Sequence, residues 1–233
     1  MTLQRFSSNF LGMRIFITGV RRGIGRELAK LALAQGHEVW GTTRNAAVDL
    51  NHPAFHHVQL DLNSADSFSH FEEKLGSMEN LDVLVNNAGV LLDEKFRFEN
   101  LPAKALLDTF QVNVVGPHLV TQALLPFLRK SSRPVVASIS SIMGSISDNS
   151  SGRYYAYRMS KAALNCWNKS FSIDFPGITA LVLHPGWVKT DMGGPQATLS
   201  VDRSAAGLLK VITTATPEMS GRFFDYRGNE LHW

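Results

Sequence analysis

The chain has 233 residues, of which 44% are hydrophobic and 18% are charged, a balance typical of a globular protein with a sizeable core. Its net charge of +3 comes without a dense run of Lys and Arg, which argues against nucleic acid as a partner. Residues 1–12 lack the apolar segment of a signal peptide, and no apolar run reaches the length of a membrane span. We therefore expect a cytoplasmic protein with no membrane partner.

The first elements along the chain form a βαβ unit. An apolar run over 13–18 predicts a buried strand, and it ends at the glycine-rich loop Gly19-Val20-Arg21-Arg22-Gly23-Ile24-Gly25. Apolar residues spaced by three and four predict a helix over 26–35, and Gly36 is a natural C-terminal stop for it. The next strand is predicted over 39–43.

The same alternation continues to the end of the chain. Strands are predicted over 58–60, 81–85, 134–140, 178–183 and 221–224, and helices over 64–75, 102–130, 153–175 and 201–214. Ser64 is predicted to cap its helix, and Gly116-Pro117 to break the long one. Alternating strands and helices predict an α/β fold: a single domain over 1–233 with a Rossmann-like, doubly wound parallel sheet and helices on both faces.

The glycine-rich loop predicts a dinucleotide site, because glycines let backbone N–H groups approach a phosphate at a helix N-terminus. The end of the second strand indicates whether the site binds NAD or NADP. An acidic residue there would bind a ribose hydroxyl, but the chain has Thr43 followed by Arg44, and Arg22 supplies a second cation. Arginines form charge-assisted hydrogen bonds with a 2′-phosphate, so the sequence favours NADP.

Tyr157 and Lys161 are four residues apart on a predicted helix and so lie on one face. A neighbouring ammonium favours the phenolate and is expected to lower the pKa of the phenol, which makes the pair a candidate acid/base centre. Tyr154 and Tyr155 have no lysine four residues on, and we predict that they only pack or line a pocket.

Neither the cysteine nor the histidines indicate a metal site. The single cysteine, Cys166, excludes an intramolecular disulfide and CxxC sites, and its apolar helical surroundings predict a core residue. His52, His56 and His57 cluster between two predicted strands, where a surface loop is favoured over a metal site. His184, at a strand end, is predicted to pack against the backbone.

An ordered set of motifs over nearly the whole chain resembles the short-chain dehydrogenases/reductases. It consists of Thr18-Gly19-Val20-Arg21-Arg22-Gly23-Ile24-Gly25, Asp61-Leu62, Asn86-Asn87-Ala88-Gly89, Asn113, Ser141, Tyr157-x-x-x-Lys161 and Pro185-Gly186 with Thr190. Within the family, residues 143–149 and 224–233 suggest the C-factor and sniffer-type carbonyl reductases.

The resemblance implies a catalytic role for four residues. Tyr157 would be the acid/base, Lys161 would lower its pKa and bind the nicotinamide ribose, Ser141 would hold the substrate carbonyl oxygen, and Asn113 would interrupt its helix to hold a relay water. Ser141 precedes Tyr157 by sixteen positions, more than is usual in the family, which we attribute to an inserted turn over 145–152. Ser140 and Ser145 remain alternatives for the working hydroxyl.

The resemblance also implies the contacts of the cofactor. Those residues are Gly19, Arg21, Arg22, Gly23, Ile24 and Gly25 in the loop, Arg44, Asp61 and Leu62 near the adenosine, Asn87, Ala88 and Gly89 beside it, Tyr157 and Lys161 at the ribose, and Pro185, Gly186, Val188 and Thr190 near the carboxamide.

Together these motifs predict an NADPH-dependent reductase of a ketone, aldehyde or quinone. A dinucleotide-binding signalling or sensor protein is the alternative. An epimerase or dehydratase is disfavoured, because such enzymes carry a C-terminal substrate domain and little sequence follows Thr190. The resemblance implies a homodimer or homotetramer, with a monomer as the alternative, because some reductases of the family with inserted loops are monomers. The loop 193–200 is either a mobile lid or a plain connection.

Overall fold

A computed structural model describes residues 12–45 and 48–233. In this part of the chain the strands are β1 Arg14–Ile17, β2 Glu38–Thr43, β3 Phe55–Gln59, β4 Val83–Asn86, β5 Val135–Ile139, β6 Thr179–His184 and β7 Arg222–Asp225. The α-helices are α1 Gly23–Ala34, α2 Ala103–Phe110, α3 Gly116–Leu128, α4 Tyr155–Asp174 and α5 Val201–Thr213. The prediction about a signal peptide concerns residues 1–12, of which only Gly12 is described.

The strands form one parallel sheet in the order β3-β2-β1-β4-β5-β6-β7. The chain builds outward from β1 to one edge and then from β4 to the other, which confirms the predicted Rossmann-like, doubly wound fold. Successive side chains of a strand face opposite sides, so Ile15 packs with α1 and α5, whereas Phe16 packs with α3 and α4. Both faces of the sheet are apolar because helices cover both.

The helix predicted over 64–75 is wrong. The structure has two short 3-10 turns there, Ala65–Phe68 and Glu72–Leu75, and Ser64 makes no capping hydrogen bond from its side chain. Between the two turns, His70 has a left-handed backbone with φ of 60°. An α-helix cannot continue through such a residue, so the apolar side chains Phe71 and Leu75 reach the core from irregular backbone instead.

The long helix predicted over 102–130 is interrupted before Gly116-Pro117, as expected. A π-helical segment, Gln111–Val115, joins α2 to α3 and carries the buried Asn113. A π-helical turn adds one residue to a helical turn and often marks a functional position. The break is therefore a change of helical pitch centred on Asn113.

Two smaller expectations need correction. Cys166 is exposed, because the buried stripe of α4 runs through Leu164, Asn165 and Asn168 and turns Cys166 outward. The third strand also lies earlier than predicted, at Phe55–Gln59 rather than 58–60. Among the described residues, no helix combines the length and the apolar character needed to cross a bilayer.

Candidate active site

The predicted site residues follow the carboxyl ends of four neighbouring strands. The glycine-rich loop follows β1, Asn87 follows β4, Ser141 follows β5 and Pro185 follows β6. Parallel strands end at the same edge of the sheet, and ligands of doubly wound folds bind in the crevice at that edge. The topology therefore gathers these segments into one site.

Tyr157 lies in the first turn of α4 with 8% of its surface exposed. Burial raises the pKa of its phenol to about 12, a hydrogen bond with Ser141 lowers it, and the charge of Asp93 raises it. The spacing of Tyr157 and Lys161 predicts the opposite direction, which is wrong for this structure because desolvation, which disfavours the charged form, dominates. The phenol is protonated at neutral pH and can donate a proton.

Lys161 is buried one turn after Tyr157. Its Nζ donates to the carbonyl oxygen of Ile139 at 2.8 Å and lies 5.6 Å from the centroid of the Tyr157 ring. Burial lowers the pKa of the Lys161 ammonium to about 8. Gly89 lies beside this side chain and Asn113, since a Cβ on Gly89 would lie 3.3 Å from Oδ1 of Asn113 and 3.5 Å from Nζ of Lys161. The structure thus brings together Tyr157, Ser141 and Lys161.

Asn113 is fully buried and joins three segments of the site. Its Oδ1 accepts from the Val90 N–H at 2.8 Å, and its Nδ2 donates to the Val90 carbonyl at 2.9 Å. The same Nδ2 donates to the Ser160 hydroxyl at 3.0 Å, and that hydroxyl donates to the Tyr157 carbonyl at 2.8 Å. Asn113 therefore ties the segment after β4 to the first turns of α4.

The three candidate serines have different surroundings. Ser140 is buried and donates to Oδ1 of Asn165 at 2.6 Å, so it links β5 to the middle of α4. Ser145 pairs with the hydroxyl of Ser147 at 3.1 Å. Ser141 is the serine whose hydroxyl lowers the pKa of the Tyr157 phenol, and its Oγ accepts from the Met143 N–H at 3.1 Å. The geometry favours Ser141 as the hydroxyl that acts with Tyr157.

The neighbouring aromatic and histidine side chains have structural partners. Tyr155 is partly exposed, with its ring 5.2 Å from that of Phe98. His184 accepts from the Ile142 N–H at 3.2 Å, which agrees with the predicted packing role. Burial lowers the pKa of His184 to about 4, against the opposing charges of Asp225 and Asp148. His184 is thus neutral at physiological pH and holds the segment after Ser141.

The histidines near β3 also have protein partners. His56 lies 2.8 Å from the Glu38 carboxylate and stacks on Trp40 at 4.5 Å. His57 lies 2.7 Å from the Thr43 hydroxyl. In the stretches 12–45 and 48–233, no three His, Cys, Asp or Glu side chains form a group that could hold a metal.

The glycine-rich loop has the backbone of a phosphate cradle. Gly19 and Gly23 have φ of 77° and 59°, which side-chain-bearing residues rarely adopt. A Cβ on Gly25 would overlap the Gly19 carbonyl oxygen and Nδ2 of Asn87. The first turn of α1 contains no acidic residue, and its N-cap residue, Arg22, makes no capping hydrogen bond from its side chain. Free N–H groups at a helix N-terminus fit the pyrophosphate of a dinucleotide.

Asn87 and Ala88 support this loop from the end of β4. Nδ2 of Asn87 donates to the Thr18 carbonyl at 2.8 Å, and the hydroxyl of Thr18 accepts from the Asn87 and Ala88 N–H groups at 2.9 Å. Beyond the end of β3, Asp61 accepts from the Asn63 N–H at 3.0 Å, and Leu62 is buried against Gly116. The structure thus places these predicted residues at the same edge.

The predicted 2′-phosphate residues lie on the surface beside the loop. Arg44 follows β2 and is exposed, as are Arg21 and Arg22. Arg22 already has a partner that the sequence does not reveal, because its guanidinium pairs with the carboxylate of Asp191. Both side chains of this pair are more than 70% exposed, at 74% and 71%. The pair links the glycine-rich loop to the segment after β6.

The segment after β6 is held by its own hydrogen bonds. The Ser204 hydroxyl donates to the Pro185 carbonyl at 2.6 Å, and Val188 is bridged to Leu199. The Thr190 hydroxyl accepts from the Gly193 N–H at 3.0 Å. The Thr190 side chain faces the glycine-rich loop, since a Cβ on Gly23 would lie 3.4 Å from its methyl group. Pro185, Gly186, Val188 and Thr190 thus form one ordered turn at the sheet edge.

Sequence reasoning misses four residues that shape the site: Ile139, Asp191, Ser160 and Asp93. Ile139 acts through its backbone carbonyl, which no side-chain pattern marks. Asp93 stands in the polar run Asp93-Glu94-Lys95, which is typical of an exposed loop, yet it is 3% exposed. Only Ser160 has a sequence signal, because it stands one residue before Lys161 on the buried face of the helix.

This fold and site define a class of dinucleotide-dependent enzymes. Residues 13–199 match the short chain dehydrogenase family, and the chain belongs to that family of oxidoreductases. The C-signal of Myxococcus xanthus is 48% identical over 155 residues, which are 66% of this chain and 93% of that protein. Carbonyl reductase Sniffer of D. melanogaster has a TM-score of 0.88 at 36% identity and covers 95% of this chain and 100% of its own. The NADPH-bound carbonyl reductase from chicken fatty liver has a TM-score of 0.88 at 31% identity, with coverages of 95% and 99%.

Proposed function

We propose that this protein is an NADPH-dependent oxidoreductase that reduces the carbonyl group of a ketone, aldehyde or quinone to an alcohol. The observation that carries this proposal is the buried phenol of Tyr157, which lies with its ring centroid 5.6 Å from Nζ of the buried Lys161 and has its pKa lowered by the Ser141 hydroxyl. A proton donor beside a second hydroxyl is the arrangement that a carbonyl oxygen needs as it gains negative charge. Similarity to two carbonyl reductases supports the same reaction.

In this reaction the residues of the chain would have the following roles. Ser141 and Tyr157 donate hydrogen bonds to the carbonyl oxygen, and Tyr157 then transfers its proton to that oxygen. Lys161, which is positively charged below its pKa of about 8, stabilises the negative charge that remains on the phenol. Asn113 holds the first turns of α4 in place and lies where a relay to solvent would start. The bound NADPH supplies the hydride.

The glycine-rich loop, the free N-terminus of α1 and Thr190 would hold the dinucleotide. We assign the preference for NADP to Arg44 and Arg22, because β2 ends in Thr43 without the acidic residue that binds a free ribose hydroxyl. The pair between Arg22 and Asp191 leaves other guanidinium N–H groups of Arg22 for a phosphate. The NADPH-bound state of the chicken carbonyl reductase agrees with this assignment.

The experiment follows NADPH oxidation with a panel of aldehydes, ketones, quinones and diketones, in wild type and Tyr157→Phe. We expect at least one carbonyl to be reduced by the wild type, and a loss of kcat of about 10²–10⁴-fold in the variant at saturating NADPH. A variant that reduces the responsive carbonyl at the wild-type rate would show that Tyr157 is not the proton donor.

The similarity to a protein named C-signal favours a second candidate, a dinucleotide-binding signalling or sensor protein with little turnover. The buried set of Asn113, Ser141, Tyr157 and Lys161 argues for catalysis, since binding alone needs no proton donor. Tight NADPH binding without turnover of any carbonyl in the panel would support this second candidate over the reductase.

A further inference from the structure

Asp93 is a buried carboxylate beside Tyr157 that the reaction described above does not use. It lies in the segment between β4 and α2 and is 3% exposed. Its Oδ2 accepts from the Ala156 N–H at 2.8 Å, across 63 positions of the chain. Ala156 directly precedes Tyr157, so this bond fixes the backbone one residue before the phenol.

The N-terminus of α4 depends on this distant carboxylate because it has no cap of its own. The N-cap residue is Tyr154, which has a left-handed backbone with φ of 52° and makes no capping hydrogen bond from its side chain. Arg153, one residue earlier, is also left-handed with φ of 57°. Such backbones are strained for residues other than glycine, and they persist only where the surroundings enforce them. An acidic group near a helix N-terminus stabilises it.

A cap alone does not explain a carboxylate in this place. Oδ1 of Asp93 is buried and has no hydrogen-bond donor among the described residues. Within the same residues, no Lys, Arg or His side chain forms an ion pair with Asp93. An unpaired buried charge is unfavourable, and an Asn or Ser side chain would cap the helix without it. The negative charge therefore has an effect that the cap does not need.

That effect falls on the Tyr157 phenol. The Ser141 hydroxyl from the end of β5 and the charge of Asp93 both act on the pKa of the phenol, and Nζ of Lys161 from the next turn of α4 lies 5.6 Å from the centroid of its ring. His184 supports the Ser141 segment and is neutral at physiological pH. Lys161 favours the phenolate and Asp93 favours the protonated phenol, so the two charges have opposite effects on the ionisation of Tyr157.

We propose that Asp93 is a positioning residue for Tyr157, which fixes the start of α4 through the Ala156 amide. Its negative charge also acts on the phenol, in the same direction as burial. The proposal rests on the proposed role of Tyr157 as proton donor. The two parts are separable by substitution, because Asp93→Asn keeps an oxygen acceptor for Ala156 and removes the charge, whereas Asp93→Ala removes both.

The first measurement is the ultraviolet titration of tyrosinate, in which Tyr157→Phe identifies the signal of Tyr157. We expect Asp93→Asn to move that signal to lower pH, because a like charge no longer opposes ionisation. Glu94→Gln is the matched control, since it removes the same charge from the exposed neighbouring residue and should leave the signal in place. A titration of Tyr157 that is the same in Asp93→Asn and wild type would overturn the charge effect.

The second measurement is amide hydrogen exchange at Ala156. We expect protection like that of the wild type in Asp93→Asn and a loss of protection of about 10-fold or more in Asp93→Ala, as expected for a lost charge-assisted bond. Unchanged protection in Asp93→Ala would overturn the positioning role, and if that variant does not fold, Asp93→Ser replaces it. Neither readout needs a substrate, so an inactive wild type would contradict the proposed function while these results still decide the role of Asp93.

Discussion

The ammonium nitrogen of Lys161 lies 2.8 Å from the carbonyl oxygen of Ile139, so the last residue of β5 anchors the charged group of the site. The hydroxyl of Ser141, two residues further on, acts on the phenol of Tyr157 and lowers its pKa. One strand end therefore positions both partners of the phenol, one through its backbone and the other through a side chain. This arrangement places the Lys161 amine in the core, where its charged form is energetically unfavourable.

The cost of burying Lys161 predicts a pH-dependent gain in stability for Lys161→Met. The pKa of Lys161 falls from 10.5 in the unfolded chain to about 8 in the folded protein. At about 1.4 kcal/mol per unit, the ammonium destabilises the fold by roughly 3 kcal/mol below pH 8, and this penalty disappears as pH rises towards 10.5. In urea unfolding, the variant should have a larger free energy of unfolding than the wild type at pH 7, and this difference should be smaller at pH 10. An equal difference at both pH values would contradict the assignment.

Ser140 and Ser141 are adjacent, yet their substitution should affect different properties. Ser141→Ala removes a donor to the developing oxyanion, and we expect kcat to fall by about 10²-fold or more. Its cost in stability should be about 1 kcal/mol, from the lost bond to the Met143 N–H. Ser140→Ala leaves the Asn165 acceptor unpaired in the core, and we expect a loss of about 1–3 kcal/mol of stability with kcat within a few-fold of wild type. The reverse pattern in kinetics and urea unfolding would assign the working hydroxyl to Ser140.

Arg44→Asp should change cofactor preference. A charge-assisted bond to a 2′-phosphate contributes about 1.5–3 kcal/mol, so we expect the Kd for NADPH to rise about 10–100-fold while that for NADH changes little. Arg203→Asp makes the same change of charge on α5 and should alter neither Kd. Equal losses of NADPH and NADH affinity in Arg44→Asp would remove the 2′-phosphate assignment.

Gly25→Ala should damage the phosphate cradle. Its methyl group would overlap the Gly19 carbonyl and the Asn87 amide, so the loop must shift, and we expect NADPH affinity to fall about 10-fold or more. Gly177→Ala is the matched control, because a Cβ there meets no atom within 4 Å. Isothermal titration of both variants separates the two cases, and wild-type affinity in Gly25→Ala would show that the cofactor does not need this close approach.

The sequence predicts the fold well because most strands are apolar runs that end at a glycine or polar turn. It fails over 64–75, where Phe71 and Leu75 have a spacing that suits a helix but reach the core from short turns around the left-handed His70. Periodicity reports which residues are buried, and irregular backbone can bury the same residues.

The candidate site is predicted to a similar extent. The side chains proposed to take part in the reaction, such as Tyr157 and Lys161, can be recognised from their spacing in the sequence. The sequence does not predict the direction of the shift in the phenol pKa, because that direction depends on burial. It also does not predict the roles of Asp93 and Asp191, whose partners are 63 and 169 positions away in the chain. Contacts across such separations follow from the packed structure and leave no local pattern.

The central claim is that the chain reduces a carbonyl with the Tyr157 proton, and isotope transfer tests it most directly. NADPH that carries deuterium at C4 of the nicotinamide is incubated with the responsive carbonyl, and the alcohol is analysed by mass spectrometry. We predict deuterium at the carbinol carbon with wild type and about 10²–10⁴-fold less product per unit time with Tyr157→Phe. NADPH binding without deuterated alcohol from any carbonyl of the panel would contradict the account.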